Sequence, residues 1–351
     1  MITKHSYTSG WIDTKAEQYQ SDTILVEKVI YALSLLESLQ KSGLEFIFKG
    51  GTALMLLLKE PKRFSIDIDI IMQQKPDDIF GLLTDTIDES PFIRMEEDIR
   101  SSQSKIDKAH FKFYYTPVSN TIAEEEYILL DILFEQSHYD DQVFSIAIDS
   151  VFLDTAGDHM TVSVPTPEAI LGDKLTAFAP MTTGIPYDIG KEIEIIKQLF
   201  DIGHLFDLAK DISIVSQIFE IFALTELQYR GKESLDPQDV LKDIFETSLV
   251  ISTRGMDGDG NFDELQRGIN NIKNFIFSER FHIERAIILT AKAAYLSMLI
   301  TTGSAEINRF RQPSQIADWV IHQPFYTRLN KLKKTNPEAF YYWYRTYELL
   351  G

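Results

Sequence analysis

Two aspartates two residues apart, Asp67 and Asp69, lie in the segment Phe64-Ser65-Ile66-Asp67-Ile68-Asp69-Ile70. In an extended strand, residues i and i+2 share a face. Both carboxylates and the Ser65 hydroxyl therefore point one way, while Ile66, Ile68 and Ile70 point into a core. Two carboxylates about 7 Å apart along the backbone can converge on divalent cations. Two ions about 4 Å apart are the usual arrangement for in-line displacement at phosphorus. An Asp-x-Asp pair can equally be the solvated face of an amphipathic strand, so the pair alone does not decide the chemistry.

The segment just upstream narrows the choice. Gly50-Gly51-Thr52 stands between a short strand, Glu45 to Phe48, and a helix expected from Ala53 to Lys59, which Pro61 ends. Glycine lets backbone approach a phosphate closely, and free N–H groups at a helix start favour anions. The turn is not a P-loop, because no Gly-Lys-Ser/Thr follows. Joined to Asp-x-Asp on the next strand, it describes a site where phosphates rest on the turn and cations beside it. A third carboxylate is expected as metal ligand and general base. The candidate is Asp131 in Ile128-Leu129-Leu130-Asp131-Ile132-Leu133-Phe134. An acid amid apolar strand residues is expensive to bury unpaired, and either a bound cation or a salt bridge would satisfy it. Glu126 and Glu135 lie at the strand ends and are poorer candidates.

Phe48-Lys49-Gly50-Gly51-Thr52-Ala53-Leu54, followed by Arg63-Phe64-Ser65-Ile66-Asp67-Ile68-Asp69, resembles the AbiEii/AbiGii toxin family of the nucleotidyltransferase superfamily. The gap from Thr52 to Ile66 is slightly longer than in much of the superfamily; one extra helical turn would absorb it. Gly172-Asp173-Lys174-Leu175-Thr176-Ala177 is similar to the family's lysine motif. Lys197-Gln198-Leu199-Phe200-Asp201-Ile202 is similar to its last motif, with Phe200 where a basic residue usually precedes the aspartate. The motifs span about residues 46 to 208.

The resemblance implies an α+β fold: a nucleotidyltransferase-type mixed sheet flanked by helices in residues 1–164, then an all-helical domain in residues 165–351 that contributes the lysine and aspartate motifs. It implies catalytic roles for Asp67, Asp69, Asp131, Lys174 and Asp201. It implies nucleotide contacts from Gly50, Gly51, Thr52, Ser65 and Lys174, with Arg63 as a further phosphate contact and Asp201 orienting Lys174. Asp67, Asp69 and Asp131 would hold Mg2+, two ions in all, with an NTP as substrate. The implied setting is the toxin half of a type IV toxin–antitoxin or abortive-infection system. Its acceptor would be tRNA or another RNA, and its antitoxin need not touch it.

The rest of the chain must position these groups. Ile24, Leu25, Val29, Ala32, Leu33, Leu36 and Leu39 recur at helical spacing from Asp22 to Gln40, and Gly43 is a plausible stop. Strands are expected at Ser65–Met72, Phe92–Ile99, His110–Thr116, Tyr127–Phe134, Val143–Leu153 and Thr161–Pro167, with a helix from Pro76 to Ile87. Helical periodicity dominates from Lys191 onward.

Composition sets bounds. An apolar fraction of 44% and aromatic fraction of 12% suffice for a packed core. The absence of cysteine removes disulfides, thiolate zinc sites and a cysteine nucleophile. The histidines show no ligand spacing for zinc. Asp257-Gly258-Asp259-Gly260-Asn261 fails as a calcium loop, because Phe262 and Gly268 stand where glycine and glutamate are needed. The aromatic run Phe340–Tyr344 could stack on bases, but its helical spacing favours core. No secretory signal is legible at the N-terminus, and the stretch Ala286–Ile300, broken by Lys292, is too short for a membrane span; a cytoplasmic protein is expected. The net charge of −19 should repel bulk nucleic acid, so an RNA acceptor requires a local basic patch. Two alternatives follow: transfer to a cationic small molecule of the antibiotic kind, or nucleotide binding without turnover.

Overall fold

The computed structural model describes every residue except 59, 89, 100–106, 120, 121 and 140. It divides into two compact units, Met1–Thr166 with Asn274–Arg280, and Pro167–Lys273 with Phe281–Gly351. The fold is α+β, with a mixed sheet in the first unit and helices making up the second.

The first unit begins with α1 (Ser9–Tyr19) and α2 (Thr23–Lys41), followed by β1 (Ile47–Lys49), α3 (Gly50–Leu57), β2 (Ile68–Met72) and α4 (Ile79–Asp85). Then come β3 (Arg94–Glu97), β4 (Lys108–Tyr115), β5 (Glu126–Phe134), β6 (Val143–Ala147) and β7 (Thr161–Pro165). Asp22 caps α2 by accepting the N–H groups of Ile24 and Leu25. The helix is buried almost throughout, as its periodicity predicts. The strands form one sheet in the order β3-β4-β5-β2-β1-β7-β6. β2 pairs antiparallel with β1 and parallel with β5. One face of the sheet supplies the core, with Phe48, Ile68, Ile70, Leu130, Ile132, Phe111 and Phe113 all buried. A buried acid on α2, Glu27, accepts the N–H groups of Val118 and Ser119 and so anchors the loop after β4.

Several boundaries differ from the sequence expectation. The glycines do not precede α3 as a separate turn; they form its first turn. Lys59, its expected end, lies outside the described residues. β2 starts at Ile68 rather than Ser65, because the preceding segment bonds elsewhere: the Phe64 N–H donates to the Phe275 carbonyl at 2.7 Å, and Arg63 bridges Ile276. That contact belongs to residues 274–280, which sequence reading places in the helical part. Phe277 packs on Phe64, Tyr19 and Phe152, and this aromatic burial ties the segment to the first unit. β3 is confined to Arg94–Glu97, and β6 stops at Ala147, after which residues 148–153 turn to bury Phe152 and Leu153.

The second unit contains α5 (Pro167–Ala177), α6 (Glu192–Leu208), α7 (Ile212–Tyr229), α8 (Pro237–Ser252), α9 (Phe262–Asn271), α10 (Ile283–Thr302), α11 (Leu332–Thr335) and α12 (Pro337–Leu349). The apolar stretch at Ala286 is the centre of α10, buried from Ala286 to Leu299. Its Lys292 pairs with Asp207 at 2.8 Å and Glu338 at 3.3 Å, which explains how a charge is tolerated there. Residues 257–261 are a polar connection between α8 and α9, and Phe340–Trp343 are buried core of α12. Among the described residues no helix is long and apolar enough to cross a membrane.

Candidate active site

The sheet face opposite the core carries the acids. Along β2, Ile68 and Ile70 are buried while Asp69 is half-buried; Asp67, one residue before the strand, is exposed. Strand register then does what sequence spacing cannot. Lys49 of β1 is the direct partner of Asp69, Asp69 the partner of Asp131 on β5, and Asp131 the partner of His110 on β4. Cross-strand partners share a face, so one lateral row crosses four strands with the pattern base, acid, acid, base. Lys49 and His110 were not among the residues singled out from sequence. Alternation marks the polar side of β4, but nothing local shows that His110 meets a residue 21 positions away.

Asp131 is not buried as expected. Its side chain is 30% exposed, and Oδ1 lies 2.6 Å from Nδ1 of His110. It stands on the open face of an otherwise apolar strand, with the imidazole of His110 as its side-chain neighbour. Of the poorer candidates, Glu126 pairs with Lys28 at 2.9 Å.

The start of α3 closes over this row. Gly50 has φ +81°, and a Cβ there would fall far inside van der Waals contact of Asp69 Oδ2 and 2.9 Å from its Cγ. A Cβ at Gly51 would lie 2.6 Å from Ser65 Oγ and 2.7 Å from Arg63 Nη2. Glycine is required at both positions because side chains from the next segment press directly on the helix start. The N-cap residue, Lys49, supplies no side-chain cap, since an ammonium cannot accept. Thr52 is fully buried, and its hydroxyl donates to the Asp67 carbonyl at 2.6 Å. That hydrogen bond holds the Asp67 backbone against α3. Arg63 is also buried and donates from Nη1 to the Phe64 carbonyl at 2.9 Å.

Asp67, Asp69 and Asp131 offer carboxylate oxygens, the chemistry that suits Mg2+, and Asp69 and Asp131 are lateral neighbours. Their donor set fits a hard divalent ion. Among the described residues, no three acidic or histidine side chains are gathered closely enough to hold one as they stand.

The other two predicted residues meet in the helical unit. Lys174 of α5 and Asp201 of α6 form an ion pair at 2.8 Å, with side chains 8% and 4% exposed. Lys174 also donates to Gln198 Oε1 at 3.0 Å. Phe200, which stands where the family usually has a basic residue, is buried against His204 and Phe281.

A family model described as nucleotidyl transferase AbiEii toxin, type IV TA system, matches residues 34–287, well over half of the chain. The nucleotidyltransferase toxin MenT4 of Mycobacterium tuberculosis has a similar fold at 12% identity, with TM-score 0.54, covering 83% of this chain and 89% of that one. JHP933 of Helicobacter pylori aligns at 12% identity over 86% of this chain and 94% of that one, with TM-score 0.41. No curated protein matches the sequence.

Proposed function

We propose a reaction for this chain from its family: it belongs to the AbiEii nucleotidyltransferase toxins, matched over residues 34–287. An acceptor hydroxyl oxygen attacks the α-phosphorus of an NTP. The bond from that phosphorus to the bridging oxygen of the β-phosphate breaks, pyrophosphate leaves, and the hydroxyl proton passes to a base. The observation that carries this reading is the in-register row of Asp69 and Asp131 beside the glycine start of α3.

In this reading the N–H groups at Gly50 and Gly51, with Ser65 and Arg63 beside them, receive the phosphates. Asp67 and Asp69, with Asp131 as the third ligand, would hold two Mg2+ ions, which when bound neutralise charge on the triphosphate and acidify the attacking hydroxyl. Asp131, steadied by His110, accepts the acceptor's proton at a carboxylate oxygen. Lys174 keeps the nucleotide-side role that the resemblance implies, with Asp201 orienting its ammonium. The acceptor is tRNA or another RNA, the antitoxin acts without contact, and the toxin works in the cytoplasm, in an abortive-infection setting.

Labelled NTPs, Mg2+ and total RNA, incubated with the protein, test the proposal. Label on an RNA species supports it; no label on any acceptor sinks it. The net charge of −19 favours one other acceptor class, a cationic small molecule. Label on an amine-rich aminoglycoside-like compound, with none on RNA, would select that reading.

Two variants sharpen the site. Gly50→Ala should fold but lose transfer by about a hundredfold or more. Its Cβ must displace the Asp69 carboxylate, and a misplacement of about 1 Å can cost that much; left-handed backbone without glycine adds roughly 1–2 kcal/mol of strain. Steady-state transfer rates, with a circular dichroism melt to confirm folding, decide this. His110→Ala should lower kcat by about 10- to 100-fold, the usual cost of losing a group that orients a catalytic ligand, while KM for the NTP stays within a factor of about three. His110→Asn, which still offers an N–H, should recover part of the loss. An unchanged kcat in His110→Ala would remove the residue from the site.

A further inference from the structure

The helical unit holds a second, separate collection of charge. The segment after α10 and the face of α12 enclose a cavity of about 360 Å³, lined by Arg309, Arg311 and Arg345 together with Asn308, Tyr341 and Glu306. Three guanidinium groups stand against two carboxylates, Glu306 in the lining and Glu348 beside Arg345, a local positive balance in a chain of net charge −19. These residues also lie beyond the span 34–287 that the family model covers.

The arginines are held in place yet incompletely satisfied. Arg309 donates from Nη2 to the carbonyl of Phe206 at 2.8 Å and to that of Ala209, at the carbonyl end of α6. Arg345 pairs through Nη1 with Glu348 at 2.8 Å, and its guanidinium lies 4.9 Å over the Trp319 ring and 5.3 Å over that of Tyr341. Even so, Nε of both Arg309 and Arg345 is buried and finds no hydrogen-bond partner among the described residues. A buried N–H of a cation is costly to leave unmade. Arg311, by contrast, is exposed. Helix carbonyls and aromatic faces thus fix the positions of two guanidiniums, and a third reaches the cavity from solvent. That is the composition that recognises a phosphate group, because planar guanidinium forks match phosphate oxygens and each oxygen accepts more than one donor.

We propose that this cavity is a phosphate-binding subsite, taking the oxyanion either of free phosphate or of an RNA backbone. It supplies the local basic patch that an acidic protein needs in order to hold a polyanion.

Isothermal titration of the full-length protein in phosphate-free buffer at constant ionic strength tests the subsite. The probes are inorganic phosphate and a short single-stranded RNA. Wild type should bind phosphate, and R311Q and R345Q should each weaken binding at least tenfold. If RNA binds and phosphate competes with it, the source is the RNA backbone; if phosphate alone binds, it is the free ion. Either result supports the subsite. No binding of either probe at concentrations up to roughly 10 mM, tenfold above a millimolar Kd, overturns it. So does binding that the R311Q/R345Q double variant leaves unchanged, because the anion then sits elsewhere, the α3 start included. Should R345Q unfold the helical unit, R311Q alone carries the comparison, since its exposed side chain can be neutralised without touching the core. None of these outcomes depends on nucleotidyl transfer.

Discussion

Asp69→Asn is expected to reduce nucleotidyl transfer by about a thousandfold while leaving the protein folded. A carboxylate that holds catalytic cations contributes several kcal/mol to the transition state, and each factor of ten in rate is about 1.4 kcal/mol. The amide keeps the shape of the side chain but loses the charge. Stability should change little, because relief of the repulsion between Asp69 and Asp131 on adjacent strands offsets the lost attraction to Lys49, the partner of Asp69 on β1. Asp67→Asn should behave alike in activity, with even less effect on the melting temperature, since that side chain is exposed. The measurement is label transfer per mole of folded protein, with folding followed by circular dichroism. If both variants transfer label at the wild-type rate, these carboxylates are the solvated face of a strand and the reaction is done elsewhere. Loss of activity together with loss of fold in Asp69→Asn would contradict the repulsion argument instead.

The second large effect concerns Lys174 and Asp201. Asp201→Ala should destabilise the helical unit by about 3–5 kcal/mol, because it strands an ammonium in a buried site. Lys174 is only 7% exposed, and its remaining neutral partner, Gln198, cannot replace a carboxylate. At about 2–4 °C per kcal/mol for a unit of this size, the melting temperature should fall by roughly 10 °C. Replacing both partners with apolar residues, Lys174→Met with Asp201→Leu, should restore most of that stability, since an ion pair removed as a whole leaves no buried charge behind. The double variant then separates two roles. If it is stable and inactive, the pair serves the nucleotide as the family resemblance implies. If it regains stability and full transfer, the pair is structural, and Lys174 drops out of the mechanism.

The contrast between the two cases shows how far sequence carries. The alternation Ile66-Asp67-Ile68-Asp69-Ile70 reports its faces because side-chain direction along a strand has a period of two, a local property of the backbone. The buried side of Ile68 and Ile70 and the open side of the acids follow from it. The same holds for α2 and α10, whose apolar residues announce burial, and for the Gly50-Gly51 pair, whose motif with Asp-x-Asp pointed to the family before any fold was known. Composition was decisive too, in that no cysteine chemistry had to be considered.

Other features were beyond local pattern. That Asp131 stands beside Asp69 is a matter of register between strands more than 60 residues apart, and period-two spacing within each strand is silent on how they slide against each other. The His110 contact and the flanking Lys49 depend on the same register. The hydrogen bond from the Thr52 hydroxyl to the Asp67 carbonyl is likewise a tertiary contact that no local pattern announces. Residues 274–280 read as part of the helical half, yet the aromatic packing of Phe277 places them in the first unit. The amino-acid sequence by itself determined which residue types face which way and which family they belong to. Only the tertiary structure decided which of them meet, because meeting depends on strand order, register and helix packing across the whole chain.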